Sequence, residues 1–259
     1  MHIVALVKQT FDTEEKIRIR DGTVEEEDVK FVINPYDEYA IEEALRLRDA
    51  HGGRVTVVTV GGERSVEALR TALAMGADEA ALLEEPSGGA DEAAIAELLA
   101  AYIGSAPYDI VLGGHFSVDR GSGQVAIRVA ALLDIPHVGA ITKLDVDAAT
   151  GSAVAVRDAE GDEVTVETSL PACFTAQQGL NEPRYPTLPG IMKAKKKPLA
   201  RLSAGDLGLT DDRLLAKTRV VELAAPPPRE AGRLIAGDPA EQASELVRAL
   251  RDDAKLTLP

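Results

Sequence analysis

The chain has 259 residues, 45% of them hydrophobic, a net charge of −15, no tryptophan and one cysteine. That length suits one large domain, alone or with extensions, and its core must come mainly from Ala, Val, Leu and Ile. The acidic balance argues against binding nucleic acid or anionic membranes, and a single cysteine excludes an internal disulfide or a multi-cysteine metal site.

From Met1 to about Leu170, strand and helix signals alternate. His2-Ile-Val-Ala-Leu-Val-Lys8 is an apolar run suited to a strand covered on both faces. Its apolar part, Ile3 to Val7, is too short for a signal peptide or a membrane span, so a cytoplasmic location is expected. Residues Lys16 to Arg20 alternate and lead into the turn pair Asp21-Gly22. Phe31-Val-Ile-Asn34 is a second apolar run, stopped by Pro35. Asp37 is expected to cap a helix in which Ala40, Ile41, Ala44 and Leu45 share one side, ending at Gly52-Gly53. Arg54 to Val60 is β-branched and predicts a strand. Ser65 opens a helix with Val66, Leu69 and Leu73 facing inward, and Gly76 ends it. Ala80 to Leu83 is a short strand. Asp91 opens a helix carrying Ile95, Leu98, Leu99 and Tyr102, ended by Gly104, and Asp109 to Leu112 is the next strand. The order predicts an α/β fold, a mostly parallel, Rossmann-like sheet with helices on both faces. Ligands on such sheets lie beyond the carboxyl ends of the strands, where Asn34 to Asp37, Val60 to Gly62 and the loop after Leu112 can converge.

That loop leads into a helix from about Gly123 to Leu133, and Gly121, Gly123 and Ala126 satisfy G-x-G-x-x-A. A helix start offers unpaired N–H groups and partial positive charge, a seat for phosphate. His115 and Asp119 share the loop, either as an acid–base pair or as ligand contacts. A dinucleotide dehydrogenase is the enzyme alternative, because Asp145 falls about 20 residues past the glycines, as a ribose-binding acid would. Against it, the loop is too long for an immediate strand-to-glycine turn, and Asp145 lies in an alternating stretch. No nucleophile elbow, H-E-x-x-H or P-loop is present. His2, His51, His115 and His137 show no metal-ligand spacing, and Cys173 in its apolar run is expected to be buried and inert.

Ile141 to Val146, Ala153 to Arg157 and Glu163 to Thr168 alternate with period two, with a hairpin loop at Asp158 to Asp162. They predict a small antiparallel add-on that continues through Ala172 to Thr175. Leu180 to Pro198 contains Pro183, Pro186, Pro189 and Pro198, which exclude a long helix. It ends in Lys193-Ala-Lys-Lys-Lys197 and is either a solvated loop or a docking element. Ser203 to Asp212 reads as a loop, Thr218 to Leu223 as a last strand, and Pro226 to Pro228 as an extended spacer. Asp238-Pro-Ala-Glu241 is a helix start. The helix behind it carries Leu246, Val247 and Leu250 on one face, to pack on its own body or on another subunit.

Five segments resemble the β subunits of electron transfer flavoproteins, and the likeness covers essentially the whole chain. They are Ala5 to Lys8, Asn34-Pro-Tyr-Asp-Glu-Tyr-Ala-Ile-Glu-Glu43, Thr71 to Asp78, the loop ending Gly121-Ser-Gly-Gln-Val125, and Leu180 to Lys197, the most specific of them. The resemblance implies an electron-carrier subunit rather than an enzyme, paired with an α subunit that holds most of the FAD. It implies a structural AMP in the β subunit. Electrons would come from acyl-CoA dehydrogenases of fatty acid β-oxidation and other flavin dehydrogenases, and leave to a membrane quinone oxidoreductase of the respiratory chain, with no membrane insertion of this chain. Two parts are implied: residues 1–200, a nucleotide-binding domain with a recognition loop at 180–198, and residues 201–259, an extension contacting the α subunit. AMP is expected on Leu6, on Asn34, Pro35, Tyr36 and Asp37, on Val60, and on the loop of Gly114, His115, Phe116, Ser117, Val118, Asp119, Arg120, Gly121, Ser122, Gly123, Gln124 and Val125. Tyr36 would also approach the flavin. Leu188 would be the apolar anchor of the recognition loop. The stretch His115-Phe116-Ser117 and Arg120 depart from the family's pattern. The alternative is an electron-bifurcating β subunit with a second FAD in place of AMP; the intact segment Pro186 to Lys197 resembles the simple carriers more.

Overall fold

The first strand, β1 (His2–Leu6), is buried from Ile3 onward and lies near the middle of a nine-stranded sheet. The structure is a computed structural model that describes residues 1–259 except 28, 87–88, 228–230 and 257–259. After β1 come β2 (Gln9–Phe11), β3 (Ile19–Arg20), β4 (Thr23–Val24), β5 (Phe31–Ile33), α1 (Pro35–His51), β6 (Arg54–Gly61), α2 (Val66–Met75), β7 (Glu79–Glu84), α3 (Glu92–Gly104), β8 (Ile110–Gly114) and α4 (Val125–Leu132). The chain continues through β9 (His137–Asp147), β10 (Ser152–Ala159), β11 (Asp162–Ser169), β12 (Ala172–Ala176), α5 (Leu188–Ala194), β13 (Leu199–Leu202) and α6 (Pro239–Arg248).

The sheet order is β11-β10-β9-β12-β8-β1-β6-β7-β13. Every pairing from β9 to β13 is parallel, and β9, β10 and β11 pair antiparallel. Successive residues of a strand face opposite sides, so the apolar run of β1 serves two cores. Ile3, Ala5 and Val7 pack beneath Ile41 and Leu45 of α1 and Leu69 and Leu73 of α2. Val4 and Leu6 pack beneath Leu98, Leu99 and Ile103 of α3 and Val129 of α4. The expected α/β fold with helices on both faces is therefore present.

Three local expectations are corrected. The add-on does not continue into β12, which is fully buried and inserted in parallel between β8 and β9. Its run lacks polar alternation, the signature of a strand covered on both faces. The first helix starts earlier than Asp37: Asn34 holds the N-cap position without a side-chain cap, and Pro35 follows in the first turn, where the missing proline N–H has no helical partner to lose. Thr218 to Leu223 form no strand, and Val220 and Val221 stand exposed; two valines do not make a strand without an edge to pair with. Conversely, β13 follows the prolines unexpectedly and pairs with β7.

The cap of α3 is as expected, and it does more than cap. One oxygen of Asp91 accepts from the N–H of Ala93 (3.1 Å) and Ala94 (3.0 Å). The other accepts from the N–H of Lys217 (2.7 Å) and from the N–H and hydroxyl of Thr218 (2.8 and 3.1 Å). Burial alone would raise this carboxyl, but the hydrogen bonds together outweigh it and hold it down to about 2. Its stabilisation is complete above the ordinary Asp value of about 3.9 and is lost as pH falls through the folded value. Asp91→Ala is expected to cost about 2 kcal/mol at neutral pH, since the freed 217–218 amides reach water. In urea titrations the gap to wild type should narrow as pH is lowered toward the folded value. An equal gap at every pH would mean that the charge is not what holds the segment.

The chain divides into two compact units, Met1–Glu222 and Leu223–Pro259. In the second, α6 starts with a capping box, Asp238 accepting from the helix N–H groups and Glu241 accepting from Asp238 N–H. Leu246 and Val247 are exposed. Pro228 of the expected spacer lies outside the described residues. No helix among the described residues is long and apolar enough to cross a membrane.

Candidate functional site

From β1 the chain runs outward through β6 and β7, then returns across the sheet to place β8 on the other side of β1. Such a reversal leaves a crevice beyond the carboxyl ends of the two strands. A cavity of about 410 Å³ opens there. Leu6, Val58 and Val60 from the sheet, Ile95 and Leu99 from α3 and Ala126 from α4 form its apolar wall, with Lys8, Ser117, Asp119 and Ser122 among the polar groups.

The loop after β8 is held by side chains at the start of α1. Asp37 is buried, and its Oδ1 accepts from Gly114 N–H (3.0 Å) and from the Asn34 amide (3.0 Å), while Oδ2 accepts from Lys8 N–H (2.7 Å). Burial pushes this carboxyl up to about 7, against the three hydrogen bonds that favour its charged form. Asn34, also buried, donates to Phe116 C=O (3.0 Å) and accepts from Val118 N–H (3.2 Å). Gly114 must be glycine for space: a Cβ there would lie 2.3 Å from Asp37 Oδ1 and 2.7 Å from Tyr36 Cβ. The Tyr36 and Phe116 rings pack 4.3 Å apart. Lys8 Nζ donates to Ser117 Oγ (3.2 Å) and Asp119 Oδ1 (2.7 Å), tying the loop to the end of β1.

Gly121 and Gly123 both adopt positive φ, 65° and 60°, a conformation that favours glycine. Gly121 N–H closes a turn on Ser117 C=O (2.7 Å). The amides from Ser122 to Val125 then lead into α4, whose N-terminus has no side-chain cap. Arg64 stands on the rim, bound to Glu26 (2.5 Å) and stacked 3.7 Å from the centre of the Phe31 ring. Arg120 lies 3.7 Å from Glu92. An uncapped helix start suits a phosphate, with Arg64 and Arg120 beside it each facing a carboxylate, and the apolar wall suits a flat ring.

The cavity brings together Leu6, Asn34, Asp37, Val60, Gly114 to Ser117, Asp119, Arg120 and Ser122 to Val125. Pro35, Tyr36, Val118 and Gly121 do not line it; they shape the helix start and the loop. Sequence reasoning missed Lys8, Arg64 and Glu26. Lys8, a charge directly after a buried run, carried a signal; Arg64 and Glu26 come from separate segments and carried none. Leu188, 79% exposed, stands elsewhere, at the start of α5.

Acid–base chemistry finds no support in the loop. Asp119 is paired with Lys8, and the His115 ring meets the edge of Phe116 at 5.5 Å, its pKa lowered by burial and then by Arg157. Asp145 lies on β9, paired with Lys143 (2.7 Å) and away from the cavity, which removes the ribose contact of a dehydrogenase. Cys173 is fully buried, and burial pushes its thiol up to about 12, far from a thiolate. No group of residues able to hold a metal ion occurs among the described residues.

The profile of the electron transfer flavoprotein domain matches residues 21–207. The electron transfer flavoprotein subunit beta of Bacillus subtilis is 52% identical over 99% of this chain and 100% of its own length. The subunit beta of Syntrophomonas wolfei is 39% identical over 99% of this chain and 98% of its own. A mitochondrial subunit beta from Oryza sativa subsp. indica is 36% identical over 99% and 100%.

Proposed function

The chain belongs to the electron transfer flavoprotein β-subunit family, and on that premise we propose that it forms a cytoplasmic heterodimer with an α subunit and holds one AMP as a structural ligand. The observation that carries the reading is the row of amides from Ser122 to Val125 at the uncapped start of α4, inside a cavity with an apolar wall. The phosphate would lie on those amides, and the adenine between Leu6, Val60 and the α3 side chains. Asn34 and Asp37 would act indirectly, because their polar atoms are engaged in holding the loop.

FAD, held mainly by the α subunit, supplies the redox chemistry when bound. This chain's part is to shape the interface and to recognise partners, namely acyl-CoA and other flavin dehydrogenases as donors and a quinone oxidoreductase as acceptor. Leu188, Tyr185 and Met192 form an exposed apolar set close in sequence to Lys193, Lys195 and Lys196, which suits an apolar pocket with an acidic rim. The C-terminal residues would contact the α subunit through Leu234, Leu246 and Val247, all exposed in this chain.

The test is the nucleotide released when the purified heterodimer is denatured. The expected result is AMP and FAD in equal amounts. Two flavins and no AMP would overturn the reading in favour of a bifurcating subunit. Asp119→Ala, which frees Lys8 and loosens the loop, is expected to weaken AMP retention by about tenfold, the scale of one charge-assisted hydrogen bond. Full AMP content after extended dialysis would show that the pair does not support the site.

A further inference from the structure

The apolar set around Leu188 is exposed, yet the segment that carries it is fastened at both ends. At its start, Asn181 donates to Tyr39 C=O (3.0 Å) and to Glu43 (2.9 Å) on α1. Arg184 grips Glu42 through its guanidinium, Nε to Oε2 at 2.8 Å and Nη2 to Oε1 at 3.1 Å, and its backbone N–H donates to the same carboxylate (3.1 Å). Its Nη1 reaches Asp49 (3.2 Å). At the far end, Arg70 of α2 donates to Ala194 C=O (2.6 Å) and Lys197 C=O (3.1 Å). Lys197 Nζ in turn donates to Leu73 C=O (3.1 Å) and Ala77 C=O (2.5 Å) at the end of α2. Between these points α5 lies close on α2, so that a Cβ at Gly190 would come within 2.5 Å of Ala74 C=O.

The Glu42 side chain is only 5% exposed. A carboxylate buried against a helix face and gripped by a two-pronged guanidinium is a strong, directional contact. A segment this short and proline-rich, with its anchors in water, has little core of its own to hold it. At the far end α5 rests on α2 with Ala194 buried, whereas none of residues 181–187 is buried, so there the clamp supplies the order that packing does not.

We propose that Glu42 and Arg184 are positioning residues for partner docking: their clamp on α1 holds the 184–192 segment in its bound shape before a partner arrives. This rests on the docking reading given above. Order established in advance lowers the entropy that binding would otherwise cost, so the clamp strengthens partner affinity without touching the electron-transfer step. Arg184 and Glu42 make no contact with the docking partner in this scheme.

The test uses the purified heterodimer as electron acceptor for an acyl-CoA dehydrogenase reduced by its acyl-CoA substrate. Glu42→Gln keeps the shape and removes the charge; Arg184→Met keeps the stem and removes the fork. Each is expected to raise the apparent KM for the heterodimer about tenfold, with kcat little changed, and to speed amide hydrogen exchange in residues 182–192. The double variant should fall well short of the product of the two single effects, because both break the shared Glu42–Arg184 contact and only the side contacts, Arg184 to Asp49 and Arg46 to Glu42, differ. Arg184→Lys, a charge without the fork, should restore part of the KM. KM values within about twofold of wild type in both single variants, while Leu188→Ala raises it, would overturn the clamp and leave docking intact. Multiplying effects in the double variant would also overturn it. An unchanged KM in Leu188→Ala would overturn the docking reading and the clamp with it.

Discussion

Asp37→Ala is expected to cost the fold about 3–5 kcal/mol, the largest loss from any single polar side chain near the cavity. Two backbone N–H groups, of Lys8 and Gly114, and the amide of Asn34 all donate to this carboxylate. The site is buried, so water cannot replace the acceptor without opening the structure. The loss should reach beyond stability. Asn34 would lose its neighbour, and with it the hold on Phe116 and Val118 that sets the loop's path. Asp37→Asn tests charge against shape: one side of its head group can accept, while the other presents an N–H to an N–H. The pH dependence has a definite sign. Burial raises the carboxyl to about 7. Its contribution is therefore fully present below the ordinary Asp value of about 3.9 and declines as pH rises through the folded value. In denaturant titrations the advantage of wild type over Asp37→Asn should narrow from pH 5 toward pH 8. A gap that widens over that range would show that the hydrogen bonds, not burial, govern this group.

Leu188→Ala is expected to raise the apparent KM of the heterodimer for a partner dehydrogenase by roughly 10- to 100-fold, the equivalent of burying one leucine at about 1.5–3 kcal/mol. The same change should leave the stability of the free chain within about 0.5 kcal/mol, because the side chain is 79% exposed and supports little of the fold. Flavin and AMP content should not move, since the residue does not line the cavity. That split between recognition and stability separates it from Asp37→Ala, where both fall together. A modest single-anchor energy suits a carrier that must bind and leave several partners. Stopped-flow reduction across a range of heterodimer concentrations checks the result. Unchanged rates throughout would place docking on another surface.

Local pattern was legible where the physics is local. Asp91 before an apolar helical stretch, and Asp238-Pro-Ala-Glu241, each foretold a capped helix, because a cap is made within one turn. The β-branched run of β6 and the apolar run of β1 foretold buried parallel strands. The same reasoning misplaced the start of α1 by weighting Asp37 as a cap over Pro35 in the first turn. It also read β12 as a continuation of the antiparallel strands, since sequential neighbours are the default partners and nothing local says that a strand will return to the centre of the sheet. The glycines of the loop were visible, but what they leave room for was not.

Among the lysines of the basic run, Lys197 is fastened to the end of α2, a distinction no sequence pattern makes. From the sequence alone follow the α/β class, the family and the order of strands and helices from β1 to α4, because periodicity, capping and motif spacing are properties of a few consecutive residues; β13 and the missing strand at 218–223 were not among them. Only the tertiary structure decided that Asp37 holds together groups 29 and 77 positions away in the chain, that Lys8 joins the loop, and that Glu42 meets Arg184. Those contacts depend on which strands become neighbours, and a buried carboxylate is stable only where the whole fold delivers donors to it.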